Sequence, residues 1–581
     1  MFAVVSALIP FNIFLYISII AIILLDFMVV LLYVFLFCFK NKDISSGSYD
    51  KEQFSNKKIM FFVPHPDDEL NLGAGLIERF IEFGSDVWVV FATNGDYIDL
   101  ENGKKRINEA IRSLKAMGVL KNNVILLGYA NDWIQGDILN STEKVFSSMW
   151  GNTKTYGLQN HQDFHFQSHG VHAEYTKDNY LNDIKEVLQY IKPDSIFCVD
   201  MDTHPDHRIT SLLFEQAMSE LLIEQRQWKP QVFKGFAYRY AWFAPRDFYT
   251  YCSTLENSSE NHSDLLPFYT WDSRLRFPIH PKVLTPLKRS SSAYQSFLAH
   301  GSQGAVDFFD CIINSDKIYW ERRTDIIPYK TAVSLSTGDT VFKNFFCFTE
   351  INNIVEERPT QAKFISTDEN DAVVFQFGKQ EQIAVIWIHL LSSNNINAVM
   401  LDFGSGWFSY PVTLTEENKA VVVLPSTIIT DKISLKSIDI QNHNTSFSFV
   451  EFFSTIPEKS SRWIKIADKN NNFIYSAITQ NDQLQFSVYD TEKDGCYQIL
   501  TDGQTQYEIK ANEVFSIPVT KKKITLRVQL VDNSKVFDEI KICKQSKLTK
   551  NIMHVLYKFE RLIDRMFWNI TKIETWFVQH F

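Results

Sequence analysis

Two short stretches hold the residues that could do chemistry: "PHPDDE" at 64–69 and "DTHPDHR" at 202–208, each setting histidine beside carboxylate. A catalytic zinc takes three N or O ligands and keeps one position open for water, and two histidines with a carboxylate are a common set. His65 and Asp68 from the first stretch and His207 from the second supply that set. A single histidine–acid pair in a loop reads more simply as a cap or a salt bridge. The second cluster moves the reading towards a metal site, provided the fold brings the two stretches together.

The elements around them can do so. "KKIMFFV" (57–63) reads as a buried strand, "LIERFIEFG" (76–84) as a helix closed by Gly84, "DVWVVFAT" (86–93) as a second strand, and "KRINEAIRSLKAMG" (105–118) as a helix ending at Gly118. "NVILLG" and "SIFCVD" continue the series. Strands alternating with helices predict an α/β fold with a doubly wound, mostly parallel, Rossmann-like sheet. Ligands of such sheets bind beyond the carboxyl ends of the strands. That is where His65, Asp67 and Asp68 fall, with Asp96 of "TNGD" (93–96) after the second strand and His204, Asp206 and His207 after a later one.

With these residues in view, "PHPDDELNLGAG", "TNGD", "RINEAIRSLKAMGV" and "DTHPDHR" resemble, in order, the motifs of the PIG-L or LmbE-like de-N-acetylase family. "SFLAHGSQ" (296–303) resembles its late H-x-S-Q element and "NSDKIYWERRTD" (314–325) the end of its longer members, so the resemblance spans roughly 57–327. It implies a hydrolase with one zinc ion that removes acetyl from an N-acetylated amino sugar. His65, Asp68 and His207 would bind the metal and Asp67 would be the general base. His204 would steady the oxyanion, and Asp206 would hold that imidazole protonated or oriented. Two other classes stay open: a non-catalytic glycan-binding or scaffold protein, and a zinc amidase acting on a non-sugar amide.

Other residues carry weaker signals. Arg106 and Glu109 stand one helical turn apart, either as a solvated salt bridge or as a substrate contact. His161, His165, His169 and His172 lie in 155–176 without metal spacing, and His165 is taken as a substrate-loop candidate over the site. His300 enters through the family motif alone.

At 581 residues the chain exceeds one ordinary core and implies about three domains. A net charge of -10 leaves no basic surplus for nucleic acid. The 7 cysteines lie singly, with no CxxC pair, so neither a disulfide framework nor a cysteine zinc site is implied. From Phe2 to Phe39 the only charge is Asp26, and about 20 apolar residues suffice to cross a bilayer. Residues 1–40 are therefore expected to be a membrane anchor of one span or a hairpin. Lys40, Lys42, Lys51, Lys57 and Lys58 follow it, which by the positive-inside rule favours a cytoplasmic catalytic side.

A linker (41–56) leads to the catalytic domain (57–330). Beyond it, short apolar or alternating runs predict all-β accessory domains: a β-sandwich-like domain (331–457) and a second small β domain (458–545). An amphipathic helix closes the chain (546–581). The substrate class is an N-acetylated amino-sugar conjugate, with a lipid-linked one favoured by the anchor, and nothing in the sequence sets the oligomeric state.

Overall fold

In the computed structural model the described residues are 18–28, 53–131, 144–238, 273–279, 292–303, 316–351, 359–366, 371–391, 396–415, 419–437, 445–457, 464–474, 476–479, 481–491, 495–531 and 536–544, with a few single positions besides. Most of the apolar N-terminal segment lies outside them. Its described part, 18–28, is helical, and among the described residues no helix is long and apolar enough to cross a membrane. The C-terminal helix expected over 546–581 also lies almost wholly outside the described residues.

The α/β part opens with β1 (Lys58–Val63), α1 (Asp68–Gly73), α2 (Leu76–Glu82), β2 (Asp86–Thr93), α3 (Leu100–Met117) and β3 (Val124–Tyr129). It continues with α4 (Phe164–His169), α5 (Lys177–Ile191), β4 (Ser195–Val199), α6 (Pro205–Glu224) and β5 (Gln231–Gly235), then β6 (Leu275–Phe277), α7 (Ser292–Ala299) and β7 (Lys317–Arg322). These strands form one sheet in the order β3-β2-β1-β4-β5-β7-β6. The first five are parallel and β7 runs antiparallel to β5 and β6. β1 is buried from Ile59 to Val63, which is why its sequence is an unbroken apolar run rather than an alternating one.

From β1 the chain steps through β2 to β3 on one side, then crosses back to β4 and β5 on the other. Right-handed crossovers taken in opposite directions put their helices on opposite faces, so the sheet is doubly wound and the order reverses at β1. There β1 and β4 are neighbours, with Phe62 paired to Cys198. The loops leaving their carboxyl ends must therefore lie side by side. Those loops carry the two histidine–acid stretches.

α3 begins earlier than periodicity predicts. Asp99 caps it by accepting from the Asn102 amide at 2.6 Å. Gly103 follows inside the helix, where a Cβ would strike Tyr156 Oη and Asp96 Cβ. A glycine that reads as a breaker is thus a site of close approach.

The later strands are antiparallel except one pair, and two are longer than the sequence pattern indicates. "DAVVFQFG" and "QIAVIWIHLL" belong to a single strand, Val373–His389, paired with an equally long one, Lys419–Ser437. The register shifts between Gln376 and Glu381, where Gly378 takes φ 77°, so this glycine makes a bulge and not a turn. One contiguous buried cluster joins the α/β sheet to these strands, from Phe54 to Phe453, whereas Ile464 to Ile542 form a separate one in the last two sheets.

Candidate metal centre and active site

β1 ends at Val63 and the chain turns at once: the amides of Asp67 and Asp68 both donate to His65 O, at 2.9 and 3.1 Å. The His65 amide donates back to Asp68 Oδ2 at 3.1 Å. Pro66, in the middle, fixes the turn. On the second loop "HPDH" is the first turn of α6. His204 is its N-cap, with Nδ1 accepting from the Asp206 amide at 3.2 Å, and Pro205 takes the first helical position, where no amide is needed.

Three atoms converge between the loops. His65 Nδ1 lies 3.1 Å from Asp68 Oδ2 and 3.1 Å from His207 Nε2, and His207 Nε2 lies 3.3 Å from Asp68 Oδ2. Ligands at about 2.0–2.1 Å from one tetrahedral zinc stand roughly 3.3 Å apart, so the spacing fits. The far side of each group is also held. His207 Nδ1 meets Asp202 Oδ2 at 2.8 Å, His65 Nε2 meets Asp206 Oδ2 at 3.0 Å, and Asn71 Nδ2 donates to Asp68 Oδ1 at 2.9 Å. A neutral imidazole with its hydrogen on the carboxylate side would turn a lone pair to the shared point, the usual support of a histidine metal ligand. Residues of this cluster could hold a metal ion.

Burial lowers the His207 pKa, but the carboxylates of Asp202 and Asp68 outweigh it and push it up to about 10. Burial would raise Asp68, yet His207 and His65 hold it well below the usual carboxylate range. Asp67 departs the other way: burial raises it, and Arg106, whose guanidinium stands 3.1 Å from its Oδ2, only partly offsets this. His204 is held far below the ordinary imidazole value by burial and by the charges of His207 and His65. It is thus neutral, and since Nδ1 accepts from Asp206, its hydrogen sits on Nε2.

The three converging residues are buried, whereas Asp67 and His204 are partly exposed, so these two flank the side from which a ligand can enter. Asp67 has a ligand atom within 4.8 Å of those of His65 and Asp68, and His204 one within 4.8 Å of those of His65 and His207.

The other expected residues fall differently. Asp206 does not orient His204 through its carboxylate; its backbone amide does that, and the carboxylate serves His65. Arg106 is buried and pairs with Asp67, so it is not the solvated partner of Glu109. Asp96 is buried, its carboxylate held by the Asn131 amide at 2.8 Å and Tyr156 Oη at 3.0 Å. His300 reaches Glu69 Oε1 at 2.5 Å instead of the cluster, and Gln303 beside it donates to Pro66 O at 2.8 Å, so this segment clamps the first loop from behind. His165 pairs with Asp183 on α5 at 2.6 Å, and among the described residues none of its contacts reaches the cluster. The four histidines of 155–176 find partners in Val124, Asp183, Glu186 and Asp163.

Two residues escape sequence reasoning. Asp202 organises the second loop, accepting from the amides of His204 and Tyr238 as well as from His207, at 2.9, 2.9 and 2.8 Å. Its signal was present, two positions before His204. Tyr238 packs its ring 4.8 Å from that of His207 and 5.6 Å from that of His204, and lay hidden in an aromatic run that reads equally well as core.

Comparison with known proteins bears on the same loops. Residues 60–218 match the family described as PIG-L: GlcNAc-PI de-N-acetylase. This stretch is a PIG-L domain. A Dictyostelium discoideum protein described as a probable N-acetylglucosaminyl-phosphatidylinositol de-N-acetylase is 32% identical over 83 residues, which are 14% of this chain and 31% of that protein. The chain thus matches under a third of that relative's length. Among solved structures, the N,N'-diacetylchitobiose deacetylase from Pyrococcus horikoshii is 21% identical, with 30% of this chain and 52% of that chain covered at a TM-score of 0.20. A deacetylase of the teicoplanin pathway is 13% identical, with 45% and 97% covered at a TM-score of 0.25. Scores this low add no argument to the PIG-L match.

Proposed function

We propose that the PIG-L domain is a zinc-dependent N-deacetylase that releases acetate from an N-acetylhexosamine-containing glycan or glycolipid. The reading rests above all on the convergence of His65 Nδ1, Asp68 Oδ2 and His207 Nε2 with Asp67 and His204 at its entrance. The substrate class follows the family's description and that of the Dictyostelium relative. We further propose that residues 1–40 anchor the chain beside a bilayer with the catalytic part on the cytoplasmic side, which makes a lipid-linked sugar accessible.

His65, Asp68 and His207 would hold the metal. Zinc in such a set is a Lewis acid that polarises an amide carbonyl and brings the pKa of bound water to about 7. Asp67 takes the proton of the attacking water; burial lifts its basicity, while Arg106 beside it favours its ionised form. His204 donates its Nε2 hydrogen to the oxygen that gains charge as the amide carbon becomes tetrahedral. Asp67 then returns its proton to the departing amine, the C–N bond breaks, and acetate and the free amino sugar leave. Asp202 and Asp206 fix the two imidazoles throughout.

Three variants test this. Asp67→Asn retains zinc and loses about 10²–10⁴-fold in acetate release, the span of general acid–base catalysis, whereas His65→Ala and His207→Ala lose the metal in elemental analysis. A fully active Asp67→Asn protein overturns the base assignment, and purified wild type without zinc overturns the metal.

A further inference from the structure

His207 heads a polar stripe whose other members no step above uses. Ser211 and Glu215 follow it at intervals of four along α6, so the three side chains share one face of that helix. All three are 0% exposed, and the stripe leads from the metal ligand into the interior. Ser211 Oγ stands between two charges: it donates to Asp200 Oδ1 at 3.3 Å and accepts from Lys234 Nζ at 2.7 Å. Glu215 Oε1 accepts from Lys234 Nζ at 3.1 Å and from Arg322 Nη2 at 2.9 Å. Two carboxylates and two cations thus alternate behind the helix, charge-balanced and buried.

Both ends of this row are tied to other parts of the chain. At one end, Arg322 donates to Phe346 O at 3.2 Å and lies 3.9 Å over the Phe348 ring, both in the β-rich region. At the other, Asp200 organises the start of the second histidine–acid loop. Its amide donates to Gly235 O at 2.6 Å and its carbonyl accepts from the Asp202 amide at 2.9 Å. Its carboxylate accepts from the Met201 amide at 2.8 Å and from Tyr269 Oη at 2.6 Å. Thr349 of the β-rich region adds a direct link, donating from Oγ1 to Met201 Sδ at 3.1 Å. Met201 stands between Asp200 and Asp202, and Asp202 holds His207 Nδ1.

Stability alone does not account for such a row. Buried ion pairs are often no more stabilising than well-packed apolar residues of the same volume, because the loss of water offsets their attraction. What charge-assisted hydrogen bonds add is geometric specificity. We propose that Asp200, Glu215, Lys234 and Arg322 form a positioning network through which the β-rich region sets the direction of His207 and of the Asp202 carboxylate behind it. The network holds α6 from one side and residues 200–202 from the other. The metal reading supplies its consequence, zinc affinity, but not its effect on the loop.

The test uses full-length protein carrying Glu215→Leu together with Arg322→Met, which removes one anion and one cation and leaves Lys234 facing Asp200 at 3.9 Å. Thr349→Val removes only the bond to Met201. Leu213→Ala, a buried apolar position of α6, is the variant that costs packing alone. Amide exchange is followed in metal-free protein over 200–208 and, for comparison, over β1. Zinc affinity is read by competition with a chromogenic chelator, and a thermal melt gives the stability of each variant. The double variant and Thr349→Val are expected to exchange faster over 200–208 with β1 as in wild type. Zinc is expected to bind the double variant about tenfold more weakly, the low end for a change behind a metal-bound histidine. Leu213→Ala is expected to melt lower with zinc affinity near that of wild type. Exchange over 200–208 that stays at the wild-type rate in the double variant and in Thr349→Val overturns the network. So does zinc affinity that falls with the melting midpoint alike in every variant, since the row is then structural only. Should the double variant not fold, Thr349→Val decides by the same exchange comparison. Wild type that binds no zinc overturns the metal reading alone, and exchange over 200–208 still decides the network.

Discussion

Asp67 and Asp68 are adjacent in sequence and oppositely perturbed. Asp68, between two histidines, is held anionic; Asp67, largely withdrawn from water and opposed by Arg106 foremost, with His65 and His300 behind it, is shifted up. Neighbouring carboxylates driven apart in this way divide the work, one as ligand and one as base. Arg106→Gln removes the charge that favours ionised Asp67, so Asp67 binds its proton more tightly and the acidic limb of kcat/KM against pH moves to higher pH. A profile left in place detaches Arg106 from the base. Asp202 acts through His207 rather than on substrate. Asp202→Asn therefore weakens zinc by about 10–100-fold, the usual effect of losing a carboxylate behind a metal-bound histidine, as read by competition with a chromogenic chelator.

At the scale of elements, the site is made by what precedes helices and follows strands. The turn after β2 shows how tightly. Gly95 has φ 64°, and a Cβ there would stand 2.7 Å from Arg106 Cζ and Nη1. Gly95→Ala thus combines backbone strain of about 1–2 kcal/mol with displacement of the guanidinium, and kcat/KM falls by at least about tenfold. The same glycine change in an Arg106→Gln background costs activity far less, since the group it displaces is already gone; equal losses in both backgrounds refute the mechanism. The strands and helices of the α/β part were legible because buried parallel strands and amphipathic helices impose their periods on the sequence. The start of α3 was not, because a cap at Asp99 and a close approach at Gly103 leave no periodic trace. The bulge at Gly378 escaped for the same reason: a glycine at positive φ can end a strand or bend it, and only the pairing of Val373–His389 with Lys419–Ser437 tells which.

For the whole molecule, the β-rich region is more than an appended module. The buried cluster is continuous from Phe54 to Phe453, Ile327 N donates to Phe452 O at 2.7 Å, and Arg322 donates to Phe346 O at 3.2 Å and to Glu215 Oε1 of α6 at 2.9 Å. A chain ended at 330 would expose that face and leave the Arg322–Glu215 pair partly uncovered. It is expected to unfold at least about 10 °C below the full-length protein in a thermal melt, a drop that a few kcal/mol suffices to produce; an unchanged midpoint separates the two parts. Type and spacing alone fixed the two histidine–acid loops, their place beyond parallel strands and the chemistry of their ligands, because those depend on local composition and on periodicity. Tertiary structure alone decided that β1 and β4 are neighbours, that Asp206 serves His65, that Asp202 stands behind His207, and that Arg106 faces Asp67 and not Glu109. Each of these is a contact between groups on separate elements or opposite sides of a turn, and side-chain direction across such gaps is set by packing, which no run of neighbouring residues encodes.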